Sequence, residues 1–402
     1  MTSAPVSRRS FTALLAGLSG TAPLLNAQSQ LGGLYPGIQS IADASPLELS
    51  FLRPEFRDLP AWQKTARERI FSLLLHTPKP VAADAQLISR KQRDGYTEEQ
   101  ITFRTTPTTR VPATVLIPAS GRTSPRPAVL LLHDHGGFYL WGREKVIATD
   151  DEEHPALTKF RQESYGGLSV GAELVRQGYV VIAIDMFYWG ERRHLLDSDP
   201  PELRERSAAL TPQQIGGYHQ RCSQSEQLIA RALLTAGTTW PGVMLWDDIR
   251  TLDYLASRPE VDPKRISCVG LSVGGYRSYM LAALDPRIKA AVDVCWMTTY
   301  AAQIERHIVN TMGLTFVIPG MYRYFDLPDL AAAIAPRSLM LIMGSRDGLF
   351  PRPAMTASFE KIGQCYAKAK ASEKQHCVLF DAPHQFNAEM QGQAWEWLSK
   401  WN

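Results

Sequence analysis

The stretch that most constrains this chain runs from Ile266 to Gly275, where β-branched and apolar residues lead into Gly270-Leu271-Ser272-Val273-Gly274. A helix-like segment, Tyr276 to Leu284, follows and stops at Asp285-Pro286. Strand, G-x-S-x-G turn and helix in that order read as a nucleophile elbow. A serine projected from so sharp a turn needs strained backbone, and a Cβ at Gly270 or Gly274 is expected to collide with the crossing strand and helix. The helix start behind the serine offers free N–H groups and a positive dipole end to a developing oxyanion.

A serine hydroxyl is a poor nucleophile until a base takes its proton, and that base must be held in one tautomer. Two positions suit these tasks. Asp347 follows the apolar run Leu339–Met343 in a turn ending at Pro351, and His384 follows the last strand between Phe380 and Phe386. Asp293, at the end of the preceding strand, competes as the acid, with Asp381 a weaker rival. The oxyanion needs two backbone N–H groups. One is expected from Val273; the other is expected from the loop after Val129–Leu132, at His135, with Asp134 and Gly136 as alternatives. Gly136 and Gly137 let that loop fold close to a substrate.

His133-Asp134-His135 permits a rival reading, since H-x-H at a strand end can ligate zinc. Such a site needs further ligands, for which the run Asp150 to His154 is the available source, although acidic runs of this kind are usually solvated. The preferred reading has no metal and calls for no cofactor. Aromatic residues gather near the presumed site, and Phe138, Trp189 and Trp296 are candidate walls of a substrate pocket.

Elsewhere strands alternate with helices. Residues 30–60 read as an extended arm, Ala61 to Leu75 as a helix, and Glu98–Phe103 and Val111–Ile117 as edge strands. Pro127–Leu132 and Tyr179–Ile184 are continuous apolar runs, as in central parallel strands covered on both faces. Residues 186–240 read as an irregular insertion over the carboxyl edge of the sheet, and 45–95 as an N-terminal helical arm. Helices are expected over Ala172–Gln177, Trp246–Ser257, Arg352–Ala369 and Gly392–Trp401, and strands over Ile288–Val294, Ser338–Met343 and His376–Phe380. A mostly parallel, doubly wound sheet follows, antiparallel at its N-terminal edge, with the site at the carboxyl ends of the strands.

The chain has 402 residues and a net charge of +3, with no basic stripe of the kind that binds nucleic acid. After the first thirty residues nothing approaches a membrane-spanning run. The five cysteines lie singly, without C-x-x-C spacing; a Cys365–Cys377 bridge is left open. Arg8-Arg9-Ser10-Phe11, a mildly apolar stretch to Leu25 and a small-residue site at Leu25-Asn26-Ala27 resemble a twin-arginine export signal over residues 1–27. Residues 28–402 would then form the mature, periplasmic or secreted domain.

Residues 45–400 resemble the α/β-hydrolases, and more narrowly the bacterial branch that groups dienelactone hydrolases with acetyl-xylan-esterase-like proteins. The resemblance rests on Leu132–Phe138, Asp185 through Trp189-Gly190-Glu191-Arg192, Asp248–Pro263, the Gly-Leu-Ser-Val-Gly-Gly elbow and Asp329–Arg337. It implies Ser272, Asp347 and His384 as the triad and a small-molecule ester as substrate. Dienelactone hydrolases proper carry a cysteine where Ser272 stands. Acetyl xylan esterases carry Arg-Gly-Gln-Gly where this chain has Tyr188-Trp189-Gly190-Glu191. A prolyl-oligopeptidase-like peptidase is a further reading, but such enzymes usually carry a propeller domain for which this chain has no room. A catalytically silent hydrolase-fold binding protein is the non-enzyme alternative.

Overall fold

The computed structural model describes residues 31–119, 125–148, 153–304, 308 and 313–401. The expected export segment lies outside them. Nine strands form one sheet in the order β1-β2-β3-β5-β4-β6-β7-β8-β9. They span Gln86–Arg93 (β1), Tyr96–Arg104 (β2), Arg110–Pro118 (β3), Arg126–Leu132 (β4), Val180–Ile184 (β5), Val261–Leu271 (β6), Ile288–Val294 (β7), Ser338–Gly344 (β8) and Gln375–Phe380 (β9). The first three strands pair antiparallel, as does β3 with β5, and every later pair is parallel. This is the mostly parallel sheet, antiparallel at its N-terminal edge, that the alternation of strands and helices implied, and it is the α/β-hydrolase fold that the resemblance implied.

Side-chain alternation divides the core between the two faces. Ala128, Leu130 and Leu132 of β4 join Val180, Ile182 and Ile184 of β5 on one face, under the helices Leu59–Leu74 and Trp240–Ser257. Val129 and Leu131 join Val181 and Ala183 on the other, under the closing helix Ala388–Trp401 through Met390, Ala394 and Leu398. Runs with no polar position are what strands covered on both faces require.

Three expectations need correction. Within the presumed extended arm, Tyr35–Asp43 is helical, opened by Pro36 in its first turn, where a missing N–H does no harm. β1 was not foreseen, because Gln86–Arg93 is exposed on almost its whole length and carries no apolar alternation. Residues 186–240 are not irregular, since they hold the helix Pro212–Thr235. Its capping box, Thr211 with Gln214, is present in the structure and was legible as a helix start. All five cysteines are free thiols, Cys365 and Cys377 among them.

Candidate active site

Ser272 joins β6 to the helix Val273–Leu284 at φ 60° and ψ −123°. A non-glycine residue held there stores about 1–3 kcal/mol of strain, which the surroundings must over-determine. They do so from both sides: the Ser272 N–H donates to the Val294 carbonyl at the end of β7 (2.7 Å), and the Ser272 carbonyl accepts from Tyr276 (3.0 Å). The glycines behave as the turn requires. A Cβ on Gly270 would lie 2.3 Å from the Gly274 backbone, and one on Gly274 would lie 2.0 Å from the Leu132 carbonyl oxygen. Val273, first in its helix, has no intrahelical acceptor for its N–H.

His384 stands on the loop after β9, which packs on the end of β8. The Ser345 N–H donates to Phe380 (2.7 Å) and that of Arg346 to Ala382 (3.0 Å). His384 Nδ1 lies 2.6 Å from Asp347 Oδ2. The Asp347 side chain is fully buried, whereas the His384 ring is 25% exposed. The pair meets the elbow through Cys295, which follows Val294: its Sγ, an Asp347 oxygen and a His384 nitrogen lie within 4.8 Å of one another. Among the described residues no hydrogen bond of 3.5 Å or less joins the Ser272 hydroxyl to the His384 ring.

Asp293, the rival acid, is fully buried, and neither carboxylate oxygen has a hydrogen-bond partner. Burial pushes its pKa well above the usual carboxylate range, which favours a protonated group. Asp381 lies at the surface, paired with Arg346 at 3.0 Å.

The paired histidines after β4 are committed to internal bonds. His133 Nδ1 is 2.8 Å from the Asp134 carbonyl, and its Nε2 accepts the Met186 N–H at 3.1 Å. His135 Nε2 lies 2.7 Å from Glu226, and its Nδ1 accepts the Gly137 N–H at 3.0 Å. The zinc reading therefore lacks free imidazole lone pairs at both residues. Of the supporting acidic run, Asp150, Asp151 and Glu152 lie outside the described residues, Glu153 pairs with Arg161 at 2.6 Å, and His154 caps the helix Pro155–Tyr165.

The three aromatic candidates differ. Phe138 is half-buried and stacks between Trp141 and Phe160. Trp189 has no exposed surface and donates its indole N–H to the His135 carbonyl at 3.0 Å. It is a buttress of the loop, not an open pocket wall. Trp296, 2% exposed, packs among Tyr276, Phe316 and Phe350, so it too serves as packing. The motif Asp185–Arg192 proves to be scaffolding. The buried Asp185 carboxylate accepts the N–H groups of Arg143 and Glu191, each at 2.8 Å, and pairs with the Arg143 guanidinium.

Glu226 was missed. It reaches both His135 and the Tyr139 hydroxyl (2.8 Å) from the helix Pro212–Thr235, tying that helix to the loop after β4. Reading its segment as irregular concealed it.

A strained serine on a strand-to-helix turn and a histidine held by a buried aspartate, at the carboxyl edge of a mostly parallel sheet, define an α/β-hydrolase. The family model described as "Abhydrolase family" matches residues 41–200 and 211–388, and the chain belongs to that family. It is 26% identical over 336 residues to the protein named "Putative hydrolase YtaP" of Bacillus subtilis (strain 168), covering 83% of this chain and 98% of that one. Among solved structures it is similar to a "putative acetyl xylan esterase" from Bacteroides fragilis NCTC 9343, with TM-score 0.66 and 21% identity over 86% of this chain and 82% of that one. It is also similar to a CE15 glucuronoyl esterase from Teredinibacter turnerae T7901, with TM-score 0.57 and 15% identity over 89% and 90% of the two chains. At such identities the structural likeness carries the fold.

Proposed function

We propose that the protein is a serine esterase that hydrolyses acetyl or other small acyl esters of carbohydrate or aromatic alcohols. The observation that carries this reading is the 2.6 Å contact between His384 and the buried Asp347, formed at the strand ends where Ser272 is held at positive φ. The Ser272 oxygen attacks the ester carbonyl carbon while His384 Nε2 takes its proton, and Asp347 stabilises the imidazolium through Nδ1–H. The Val273 and His135 amides receive the tetrahedral oxyanion. The alcohol leaves with the proton from His384, and water, deprotonated by the same ring, releases the acid and restores the serine. The Ser272–His384 contact closes when the acyl group is in place, since catalytic hydrogen bonds are often long before substrate binds. The names of the esterase neighbours support small-ester substrates for this family member.

The test is turnover of a chromogenic acetate ester, with and without a serine-directed phosphonate, by the wild type and Ser272→Ala. The serine reading expects inhibition by the phosphonate and loss of turnover in the variant. Full activity in Ser272→Ala would end it, and no turnover with any of a panel of acetyl, feruloyl and longer-chain esters would favour a silent binding protein. The twin-arginine pattern at Arg8 and Arg9 supports export to the periplasm or beyond. Fusing residues 1–40 to a reporter checks this, because replacing both arginines with lysine should hold the reporter in the cytoplasm.

A further inference from the structure

One fully buried cation takes no part in the chemistry above. Lys145 ends the short turn Arg143–Lys145 and has no exposed surface. Its ammonium donates to the Asp134 carbonyl at 2.9 Å, the His135 carbonyl at 3.0 Å and the Asp134 carboxylate at 3.4 Å. All three of its protons thus serve the loop after β4. The backbone carrying the lysine is itself fixed, since Arg161 donates to the Lys145 carbonyl (3.3 Å) and the Glu144 carbonyl (2.5 Å). Other groups hold the same loop: Tyr165 donates to Asp134 Oδ1 at 2.5 Å, and Trp189 and the Phe138 N–H donate to the His135 carbonyl at 3.0 and 3.3 Å.

Burying an ammonium is costly, and an apolar side chain of similar volume would often serve packing as well or better. What the charge accomplishes here is orientation. In a planar trans peptide the carbonyl and the following N–H point in opposite directions. Gripping the Asp134 carbonyl therefore turns the His135 N–H away from the ammonium, and gripping the His135 carbonyl does the same for the Gly136 N–H. Neither amide has an acceptor among the described residues. Gly136 sits at φ +57°, and successive N–H groups in such a turn form an anion-accepting nest. The loop leaves β4 against the elbow: the Leu132 and His133 carbonyls are the backbone atoms that a Cβ on Gly274 would meet, at 2.0 and 3.1 Å.

We propose that Lys145 is the positioning residue of the oxyanion loop, holding the Asp134 and His135 carbonyls so that the His135 and Gly136 amides face the reacting ester carbonyl. The cation also polarises both peptides toward stronger donation. This rests on the serine-esterase reading and adds to it the origin of the oxyanion geometry and a second amide, that of Gly136.

The experiment uses the full chain. Lys145→Met, and Lys145→Met combined with Asp134→Asn so that no carboxylate is left unpaired, are compared with the wild type for kcat, KM and affinity for a trifluoromethyl ketone, which binds as a tetrahedral adduct. The expected result is a kcat lower by about 100-fold with KM within about threefold, the scale of losing one oxyanion donor. Ketone affinity should fall in step with kcat/KM, which general loosening of the fold would not produce. Trp189→Phe removes one bond to the His135 carbonyl and should show the same pattern at about tenfold, deciding the matter if the lysine variants do not fold. Folded variants with wild-type kcat and ketone affinity, or a lower kcat at unchanged ketone affinity, overturn the proposal. If Ser272→Ala is inactive while the lysine variants match the wild type, only the lysine proposal falls; if Ser272→Ala remains active, both fall.

Discussion

His384 Nδ1 lies 2.6 Å from Asp347 Oδ2, and Asp347 Oδ1 accepts the Leu349 N–H at 2.9 Å. One buried carboxylate thus orients the imidazole with one oxygen and is held in place with the other. Asp293, on the neighbouring strand end, has no such partner for either oxygen.

Asp347→Asn should lower kcat by about four orders of magnitude while the chain stays folded, because the amide cannot enforce the required tautomer. Asp293→Asn should leave kcat within about threefold, since no hydrogen bond joins the Asp293 carboxyl to His384. Steady-state kinetics on the two variants decides which acid serves the histidine, and the reverse ranking would reassign it.

Gly274→Ala should destabilise the protein by more than about 4 kcal/mol or prevent folding. The obstacle to its Cβ is the Leu132 carbonyl, 2.0 Å away on the neighbouring strand's exit, and not a flexible side chain. Urea unfolding measures this. Gly392→Ala in the closing helix has open space around its Cβ and should be neutral or mildly stabilising.

Arg277 and Asp248 form a fully buried ion pair, with contacts of 2.5 and 2.9 Å, between the helices Val273–Leu284 and Trp240–Ser257. Removing one partner strands the other's charge, so Asp248→Ala should cost about 3–5 kcal/mol. Arg277→Met with Asp248→Leu should cost clearly less than the single change. A denaturant series on both variants checks the order.

Acid should destabilise the fold through His133. Burial holds its pKa well below the ordinary imidazole value, and its Nε2 accepts the Met186 N–H, a bond the protonated ring cannot make. The unfolded chain therefore takes up this proton first. The stabilisation is whole above the ordinary imidazole pKa of about 6.5 and is lost as pH falls below it, at up to about 1.4 kcal/mol per pH unit for one proton. Urea midpoints between pH 7 and pH 4.5 should fall less steeply in His133→Gln, and equal slopes would assign the acid sensitivity elsewhere.

Much of the architecture was legible because period and punctuation carry it. The unbroken apolar runs at β4 and β5 marked strands covered on both faces, and the glycines around Ser272 marked the sharp turn. Gln86–Arg93 was illegible because an edge strand is specified by backbone pairing with Tyr96–Arg104 more than by its own side chains. The helix Pro212–Thr235 was overlooked despite its capping box, since its polar exposed face dilutes the apolar spacing.

By itself the sequence determined the succession of strands from β2 to β9 and the residue types that stand at the strand ends: Ser272 on its turn, Asp347 and His384 past theirs, and glycines where no Cβ fits. Those depend on local backbone sterics and on side-chain periodicity. Only the tertiary structure set Asp347, rather than Asp293, within hydrogen-bond reach of His384, spent both histidines of the H-x-H pair on internal bonds, turned Trp189 from pocket wall into buttress, and brought Lys145 under the loop after β4. Each of those outcomes rests on burial and on hydrogen bonds between segments distant in the chain, and no local pattern encodes which distant partner a buried polar group will find.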